Sequence, residues 1–223
     1  MRILIVGAGF AGSTYARIGA ESGHKVHLID SKTHLGGSAH DRLIEGLRVS
    51  DYGPHLFNTS NMRVVSFLSR FTEWTPYIHR GNVCLPNDVT LPFPLNLDSL
   101  ESLRSIGYSA DPATAKVQLT QDTTARQWLR SILSDELVEL FFERYVRKMW
   151  GISLDELPAS IVRRVKIRNN HETSAFPNSQ FQALPKNGYA ALFNHMLDHP
   201  NRLCCTNRPY GVLPLTPDGF SLQ

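Results

Sequence analysis

The stretch RILIVGAGFAGSTYARIGAESGHKVHLID, residues 2–30, decides the fold. Its first five residues are nearly all apolar, as in a parallel strand buried on both faces, and they run into the spacing G-x-G-x-x-G. The pattern then predicts a helix to about Glu21, a stop at Gly23 and a second strand, Lys25–Ile29. This order of strand, glycine turn, helix and strand predicts a mononucleotide-binding βαβ unit.

Each glycine of the motif has a separate task in such a turn. Gly7 makes the tight turn, Gly9 lets the backbone approach a diphosphate, and Gly12 allows the helix to pack closely on the strand. The diphosphate then meets free amides at the start of the helix, at Phe10 and Ala11, and the positive end of the helix dipole. The sequence therefore predicts that this turn holds a dinucleotide.

The residues after the second strand bear on which dinucleotide binds. Asp30 lies where a carboxylate accepts hydrogen bonds from both ribose hydroxyls of an adenosine and disfavours a 2′-phosphate, which leaves FAD or NAD rather than NADP. The pair Gly36–Gly37 suits a loop that folds back over the same diphosphate, and regular βαβ repeats do not continue. These features favour FAD, with Ser31, Gly36 and Gly37 among its contacts.

The composition is that of an ordinary globular protein. The 223 residues are 42% hydrophobic and 19% charged, with a formal net charge of +3, so the chain can form one large domain or two small ones. Dense basic clusters lie only at 144–150 and 163–168, and clusters of that size suit a phosphate-bearing small molecule. We therefore expect no nucleic-acid partner.

The cysteines and the hydrophobic pattern predict the cellular setting. Cys84, Cys204 and Cys205 lack the spacing of a metal site. The sequence contains neither a signal peptide nor an apolar run long enough to cross a bilayer. These features predict a cytoplasmic protein with reduced thiols, no bound metal and no membrane span.

Helical patterns fill the middle of the chain. Asp98 and Glu101 predict a helix start of the capping-box type, with Gly107 as its stop. Ser134 predicts the start of another helix with an apolar residue at every fourth position. Those residues are Leu137, Phe141, Tyr145 and Met149. A further amphipathic helix is predicted over about 187–197.

Several longer stretches extend the information in the glycine motif. They are ILIVGAGFAG, HLGG, DYGPHLFNTSN (51–61), FTEWTPYIHR (71–80), LPFPLNL (91–97), FFERYVRKMWG (141–151), DELPASIVRR (155–164) and FQALPKNGYAALF (181–193). Together they resemble the UDP-galactopyranose mutase family over residues 1 to about 197. DELPASIVRR and GPHLFN are the specific stretches, since the glycine motif alone is shared by many unrelated proteins.

The resemblance implies an α/β fold with a Rossmann-type FAD-binding domain, an inserted helical bundle and a small antiparallel sheet. We expect the first part of the FAD-binding domain over 1–90, the inserted helical domain over 91–165 and an incomplete return segment over 166–223. The family continues well past this length, so the C-terminal part of its fold is expected to be missing. One flank of the Rossmann sheet would then expose an unpaired edge and apolar surface.

The resemblance also implies an activity. Members of the family interconvert UDP-galactopyranose and UDP-galactofuranose, an isomerisation used in glycan biosynthesis. The N5 atom of reduced FAD acts as the nucleophile on the anomeric carbon of the sugar, without net redox change. The implied partners are a UDP-sugar substrate, an external reductant such as NAD(P)H or a reductase, and a second copy of the chain in a homodimer.

Five residues match substrate-site positions of the family. Arg164 matches an arginine that contacts the UDP diphosphate, and a guanidinium suits this task because it donates to two phosphate oxygens. Trp150 and Tyr145 match aromatic residues that line the nucleotide-sugar site, with Phe141 and Phe142 near the uracil. Spacing alone would instead place Phe141 and Tyr145 in the core of the helical bundle.

One further match and three departures concern the chemistry. His55 falls where the family places a histidine against the flavin. His55 and Arg164 are the two predicted catalytic residues. Asn58 stands where the family usually has a second histidine, and Met149 replaces a glutamine. Phe176 or Ala175 stands where the family has a tyrosine that binds phosphate, so a hydroxyl donor is lost there.

Two alternatives to the mutase stay open at this point. One is a flavin oxidoreductase of the amine-oxidase type, which shares the glycine motif and the following Gly-Gly loop. The other is a non-catalytic nucleotide-binding remnant that assembles with a partner, consistent with the short length and the lost tyrosine. A chain of this length alone is expected to bind FAD weakly and to turn over slowly.

Overall fold

The computed structural model divides the chain into two compact units, one inserted into the other. The described residues are 1–85, 88–109, 120, 122–165, 167–205, 215–216 and 219–220. The first unit comprises Met1–Tyr77 and Asn178–Gln223, and the second comprises Ile78–Pro177. This arrangement confirms the predicted α/β fold with an inserted helical part.

A parallel sheet forms the centre of the first unit. Strands β1 (Arg2–Val6), β2 (Lys25–Ile29) and β10 (Arg202–Cys205) lie in the order β1-β2-β10. Helix α1 (Phe10–Glu21) connects β1 to β2 and buries Ala16 and Ala20. Because these side chains are small, the helix lies close to the sheet. The predicted βαβ unit is confirmed at its predicted bounds.

The rest of the first unit is antiparallel and helical. Strands β5 (Phe57–Thr59), β9 (Phe181–Pro185) and β6 (Trp74–Pro76) form the predicted small antiparallel sheet in the order β5-β9-β6. The other elements are a hairpin of β3 (Asp41–Ile44) and β4 (Leu47–Ser50), helices α2 (Met62–Leu68) and α8 (Gly188–Leu197), and a short pair of β11 (Leu215–Thr216) and β12 (Gly219–Phe220). Helix α8 fills the core with Leu192, Phe193 and Met196.

The second unit is a helical bundle with one hairpin. Its elements are β7 (Gly81–Cys84), β8 (Thr90–Phe93), α3 (Leu97–Ser105), α4 (Ala125–Arg130), α5 (Asp135–Leu137), a π-helical segment (Val138–Glu143), α6 (Arg144–Trp150) and α7 (Ala159–Val162). Nine leucines from four of these elements and from the segments between them form, with Phe141, Phe142 and smaller apolar residues, one buried cluster, which gives the unit its own hydrophobic core.

The inserted unit is longer than the predicted range 91–165. It includes the β7–β8 hairpin and the segment that returns toward the first unit. Backbone hydrogen bonds explain the extension: the Ala175 N–H donates to the His79 carbonyl (2.7 Å), and the Arg168 N–H donates to the Leu95 carbonyl (2.8 Å). The predicted boundaries near 90 and 165 are therefore corrected to 78 and 177.

One predicted helix start is also corrected. The residue that caps α3 is Asn96, whose side chain accepts a hydrogen bond from the Ser99 N–H (2.9 Å), whereas Asp98 lies within the first turn. The stop at Gly107 agrees with its left-handed backbone (φ +93°). Ser134 caps α5 as predicted.

One edge of the parallel sheet is open among the described strands. Strand β1 pairs with β2 alone in this part of the chain, and Val6 on β1 is exposed. Tyr15 and Ile18 on α1 are exposed as well. The predicted open edge and apolar surface are thus present. None of the described helices is long and apolar enough to cross a membrane.

Candidate functional site

The turn between β1 and α1 requires glycine at two positions. Gly7 has φ +99°, and its N–H donates to the Ile29 carbonyl (2.8 Å), which ties the turn to β2. A Cβ on Gly12 would lie 1.8 Å from the Gly7 carbonyl oxygen, so only glycine lets α1 begin against this turn. Ser13, which the sequence analysis missed, supports the turn through a buried hydroxyl that donates to the Ala8 carbonyl (3.1 Å).

The loop of Gly36 and Gly37 returns to the same turn. The Gly36 N–H donates to the Ala8 carbonyl (2.9 Å), and a Cβ on Gly37 would lie 3.2 Å from the Gly9 Cα. A Cβ on Gly36 would lie 2.7 Å from the Phe193 ring. Glycine is therefore needed at Gly36 and Gly37, whereas a Cβ on Gly9 would lie 4.0 Å from the Gly37 Cα, an ordinary contact distance. The predicted return of the loop is confirmed, and its contact with a diphosphate stays a prediction.

The start of α1 offers backbone amides rather than side chains. Gly9 is the N-cap residue and has no side chain that could cap the first turn. The Phe10 ring packs in the core against Tyr189 and Phe193, with ring centroids 5.9 and 4.7 Å apart. Its predicted cofactor contact therefore rests on its backbone. Ala11 is exposed beside it.

Asp30 lies buried at the end of β2 and closes the glycine turn. The Ala8 N–H donates to its Oδ2 (2.6 Å) and the Lys32 N–H to its Oδ1 (2.8 Å). A carboxylate oxygen accepts two hydrogen bonds, so each one has capacity left for a ribose hydroxyl. Ser31 beside it is exposed. This set of glycines, helix start and terminal carboxylate fits the adenosine diphosphate part of a dinucleotide.

His55 lies in the first unit, half-buried, on the segment before β5. Its Nδ1 is 3.2 Å from the Gly53 carbonyl oxygen. Asn58, which replaces the second family histidine, donates from Nδ2 to the Leu56 carbonyl (3.0 Å) and accepts at Oδ1 from the Ser179 hydroxyl (3.2 Å). The Asn58 amide thus joins β5 to the residues before β9, a structural use of the position.

The second unit presents two of the four predicted aromatic residues. Tyr145 and Trp150 on α6 are 49% and 55% exposed, so their rings are accessible to a ligand. Phe141 and Phe142 are only 3% and 2% exposed within the leucine cluster. Stacking of either ring on a uracil would require opening that core. Both rings have a core role, and their predicted place near the uracil stays a prediction.

The π-helical segment explains why Phe141 and Tyr145 lie in different surroundings. Its hydrogen bonds span five residues rather than four, so the buried face advances by one position. Phe142 and Val146 continue that face, while Tyr145 and Met149 turn outward. The regular four-residue spacing read from the sequence is thus broken after Phe141.

The two positions predicted to lie at the substrate phosphates, Arg164 and Phe176, occupy different places in the second unit. Arg164 follows α7, is exposed, and makes no ion pair with another described residue. Arg163 beside it is also exposed. Phe176 is half-buried near the end of the unit, and its ring has no donor for a phosphate. Arg164 is therefore available to bind an anion.

An ion-pair network in the second unit was missed by the sequence analysis. Arg126, whose side chain is 14% exposed, pairs with Glu143 (2.8 Å), Asp155 (2.9 Å) and Glu139. The buried Glu143 also pairs with Arg147 (2.5 Å). Because Asp155 begins DELPASIVRR, the network joins α4, α6 and the segment that leads to α7. The sequence signal that could have revealed the network is the pair Glu139 and Glu143, two acidic residues four positions apart in an otherwise apolar stretch.

Ser153 shows how the start of the DELPASIVRR motif is held locally. Its N–H (3.0 Å) and its hydroxyl (2.8 Å) both donate to Oε2 of Glu156. These hydrogen bonds lower the pKa of Glu156 below its usual range, because they stabilise the ionised carboxylate.

No group of three or more metal-binding side chains occurs in the described part of the chain.

Comparison with known proteins relates both units to one family. Residues 140–211 match the family described as UDP-galactopyranose mutase, and residues 5–71 match an NAD(P)-binding Rossmann-like domain. The probable UDP-galactopyranose mutase of Klebsiella pneumoniae is 34% identical over 207 residues, which cover 89% of this chain and 53% of that protein. The dTDP-fucopyranose mutase of Escherichia coli is 32% identical over 208 residues, 90% of this chain and 55% of that protein.

Solved structures support the fold. The crystal structure of a reduced UDP-galactopyranose mutase superposes with a TM-score of 0.68 at 18% identity, covering 91% of this chain and 48% of that one. The chain spans about half the length of the curated relatives that it matches. Across both of its units, the chain is similar in sequence to members of the UDP-galactopyranose mutase family.

Proposed function

We propose that the chain binds FAD in its first unit and a UDP-hexose through its second, as parts of a mutase that interconverts UDP-galactopyranose and UDP-galactofuranose. The observation that carries the proposal is the close approach of the two glycine turns, Gly7–Gly12 and Gly36–Gly37, which we call the glycine cradle. The similarity of the chain to sugar-nucleotide mutases extends over about 90% of its length. Because the chain spans about half the length of these relatives, the complete activity is part of the proposal.

The residues that would hold FAD all lie in the first unit. They are Gly7, Gly9, Phe10, Ala11, Gly12, Asp30, Ser31, Gly36, Gly37 and His55. The backbone amides bind the diphosphate, and Asp30 accepts the ribose hydroxyls. When bound and reduced, a flavin supplies a nucleophilic nitrogen toward the anomeric carbon of the sugar. An external reductant such as NAD(P)H or a reductase keeps it reduced.

Arg164, Tyr145 and Trp150 are the proposed contacts of the nucleotide sugar. The Arg164 guanidinium is exposed and can donate to two diphosphate oxygens, which holds the leaving group as the glycosidic bond breaks. The exposed rings of Tyr145 and Trp150 offer flat surfaces to a base, and such stacking contributes about 1–3 kcal/mol per base. Phe176 cannot replace the lost tyrosine hydroxyl, so we expect weaker binding of the diphosphate.

A second candidate substrate follows from one relative. The Escherichia coli protein is named dTDP-fucopyranose mutase, and its identity to this chain, 32%, is close to the 34% of the Klebsiella protein. A dTDP-hexose has the same diphosphate and a pyrimidine base, so Arg164 and an aromatic platform suit either nucleotide. Competition between UDP and dTDP for the chain decides between them.

The experiment is incubation of the FAD-loaded, chemically reduced chain with UDP-galactofuranose under anaerobic conditions. The mutase forms UDP-galactopyranose without net oxidation of the flavin, and the oxidised chain forms none. An amine-oxidase-type enzyme leaves the sugar nucleotide unchanged, and in a parallel sample with oxidised FAD it oxidises an added amine while the flavin becomes reduced. A nucleotide-binding remnant binds UDP without forming product. Either of the last two results contradicts the proposal.

A further inference from the structure

Tyr189, near the start of α8, contacts His55 directly. Its hydroxyl donates to the His55 carbonyl oxygen (3.1 Å), and the two rings lie nearly perpendicular with centroids 6.3 Å apart. Both residues line a cleft of about 370 Å³ that Arg48 and Lys186 also border. The Tyr189 ring itself is buried against Phe10. Tyr189 thus extends from the core to the segment that carries His55.

Asp41 holds the backbone of Tyr189 from the other side. Helix α8 has no side-chain cap from Asn187; instead, Asp41 Oδ2 accepts from the Tyr189 N–H (2.8 Å) and Oδ1 from the Ala190 N–H (3.0 Å). Asp41 is buried, and its charge is balanced by the positive end of the helix dipole and by Arg48, 3.4 Å away. Asp41 therefore caps α8 from a distant strand.

Gly188 makes this close approach of α8 to the β3–β4 hairpin possible. A Cβ at this position would lie 2.1 Å from Arg48 Nη1 and 2.6 Å from Asp41 Oδ2, and the backbone has φ +83°. Only glycine satisfies both the space and the conformation. Gly188 is packed directly against Asp41 and Arg48. This packing also fixes the backbone of the next residue, Tyr189, beside Asp41.

We infer that Tyr189 is a positioning residue for His55: Asp41 fixes its backbone, and its hydroxyl fixes the backbone carbonyl of His55. The inference rests on the proposed role of His55 at the flavin. His55 lies on a segment without helix or strand structure, two residues after Gly53 at φ +89°. A hydrogen bond from a buried, capped helix therefore restrains a segment that local structure leaves free.

The Tyr189 hydroxyl keeps its proton over the whole working range of pH. Burial and, after it, the negative charge of Asp41 raise the pKa of Tyr189 to about 12, although the backbone N–H of Phe57 acts in the opposite direction. The donor to His55 is consequently present at every pH at which the protein would be assayed. Replacing Tyr189 with Phe removes this donor and retains the packed ring.

The test compares the FAD-bound full chain as wild type, Tyr189→Phe, His55→Ala and the double variant. We expect Tyr189→Phe to raise the FAD dissociation constant about 2- to 10-fold, the loss of one hydrogen bond, and to shift the flavin reduction potential in the direction of His55→Ala. In the His55→Ala background, Tyr189→Phe should shift the potential no further. Tyr15→Phe, which alters an exposed tyrosine on α1, is the control.

The outcomes separate this inference from the proposed function. A potential shift of equal size with and without the His55 side chain overturns the inference. If His55→Ala leaves the potential unchanged, or if no FAD binds, the proposed function fails. The inference about Tyr189 is then tested by NMR of the full chain without FAD. The His55 ring signals should move in Tyr189→Phe and stay in place in Tyr15→Phe. Unmoved signals in Tyr189→Phe overturn the inference.

Discussion

At the scale of single residues, one close approach in the candidate cofactor site joins two loops. Gly37 and Gly9 come so near that a Cβ on Gly37 would lie 3.2 Å from the Gly9 Cα, while Gly37 itself has φ +58°. Two effects of substitution are thus combined at Gly37, backbone strain and loss of space. Gly23 has the strain alone, since its φ is +81° and a Cβ there would meet nothing within 4 Å.

We predict that Gly37→Ala weakens FAD binding at least tenfold, whereas Gly23→Ala leaves it unchanged. Both variants should lose about 1 kcal/mol of folding free energy, because alanine disfavours positive φ. Fluorescence titration of FAD against the two variants, with urea unfolding as the check on stability, measures both effects. Equal FAD affinity of the two variants would show that the contact between the loops does not form the site.

Arg164 and Arg163 provide the corresponding comparison in the second unit. Both are exposed neighbours after α7, but only Arg164 is the proposed contact of the diphosphate. We predict that Arg164→Met raises the dissociation constant of UDP about 10- to 150-fold, the loss of a charged hydrogen bond worth about 1.5–3 kcal/mol. Arg163→Met should change it less than twofold in isothermal titration calorimetry. The reverse ranking would contradict the assignment of Arg164.

At the scale of elements, the inserted bundle depends on the ion pairs of Arg126. This side chain joins α4 to Glu143 at the end of the π-helical segment and to Asp155 before α7. The exposed aromatic residues of α6 follow directly in the chain. The network therefore sets the position of α6 relative to α4.

We predict that Arg126→Met destabilises the chain by about 1.5–3 kcal/mol, because the buried Glu143 carboxylate loses one of its two arginine partners and keeps only Arg147. Arg130→Met is the matched control on the same helix. Arg130 pairs with Asp135 at 2.6 Å, but both side chains are largely exposed, so the loss should be under about 1 kcal/mol. Urea unfolding followed by tryptophan fluorescence gives both values; similar losses would contradict the structural role of the network.

The same elements show what the sequence could and could not predict. The βαβ unit was predictable to its bounds, since a buried strand and a glycine turn are local patterns. The outward turn of Tyr145 was not, because a π-helical segment shifts the buried face without any change in apolar spacing. Asp41 was also missed, since it caps a helix almost 150 residues further along the chain. Long-range contacts of this kind leave no periodic signal.

At the scale of the whole molecule, the described part of the first unit leaves one strand edge and several apolar side chains exposed. Strand β1 has one partner among the described strands, and Tyr15 and Ile18 on α1 are exposed. Contiguous apolar surface of this kind binds hydrophobic dyes and other proteins. The relatives matched by the chain are about twice as long, so their additional residues are candidates to cover an equivalent surface.

We predict that the double variant Tyr15→Lys/Ile18→Lys lowers the fluorescence of an added hydrophobic dye and reduces self-association. Its unfolding free energy should change by no more than about 0.5 kcal/mol, because both side chains are exposed. Ser22→Lys, at the end of the same helix, adds charge without removing apolar surface and should leave dye binding unchanged. Dye binding that persists in the double variant would place the apolar surface elsewhere.

The central claim is that the glycine cradle and Asp30 hold the adenosine diphosphate part of FAD. The direct test is equilibrium dialysis of the chain against FAD, with the bound flavin measured by its visible absorption, because dialysis at equilibrium also detects weak binding. We predict that the wild-type chain and Gly23→Ala retain flavin in excess of the free FAD, and that Gly37→Ala and Asp30→Ala retain far less. A folded wild-type chain that retains no excess flavin, or equal flavin in all four proteins, would contradict this assignment.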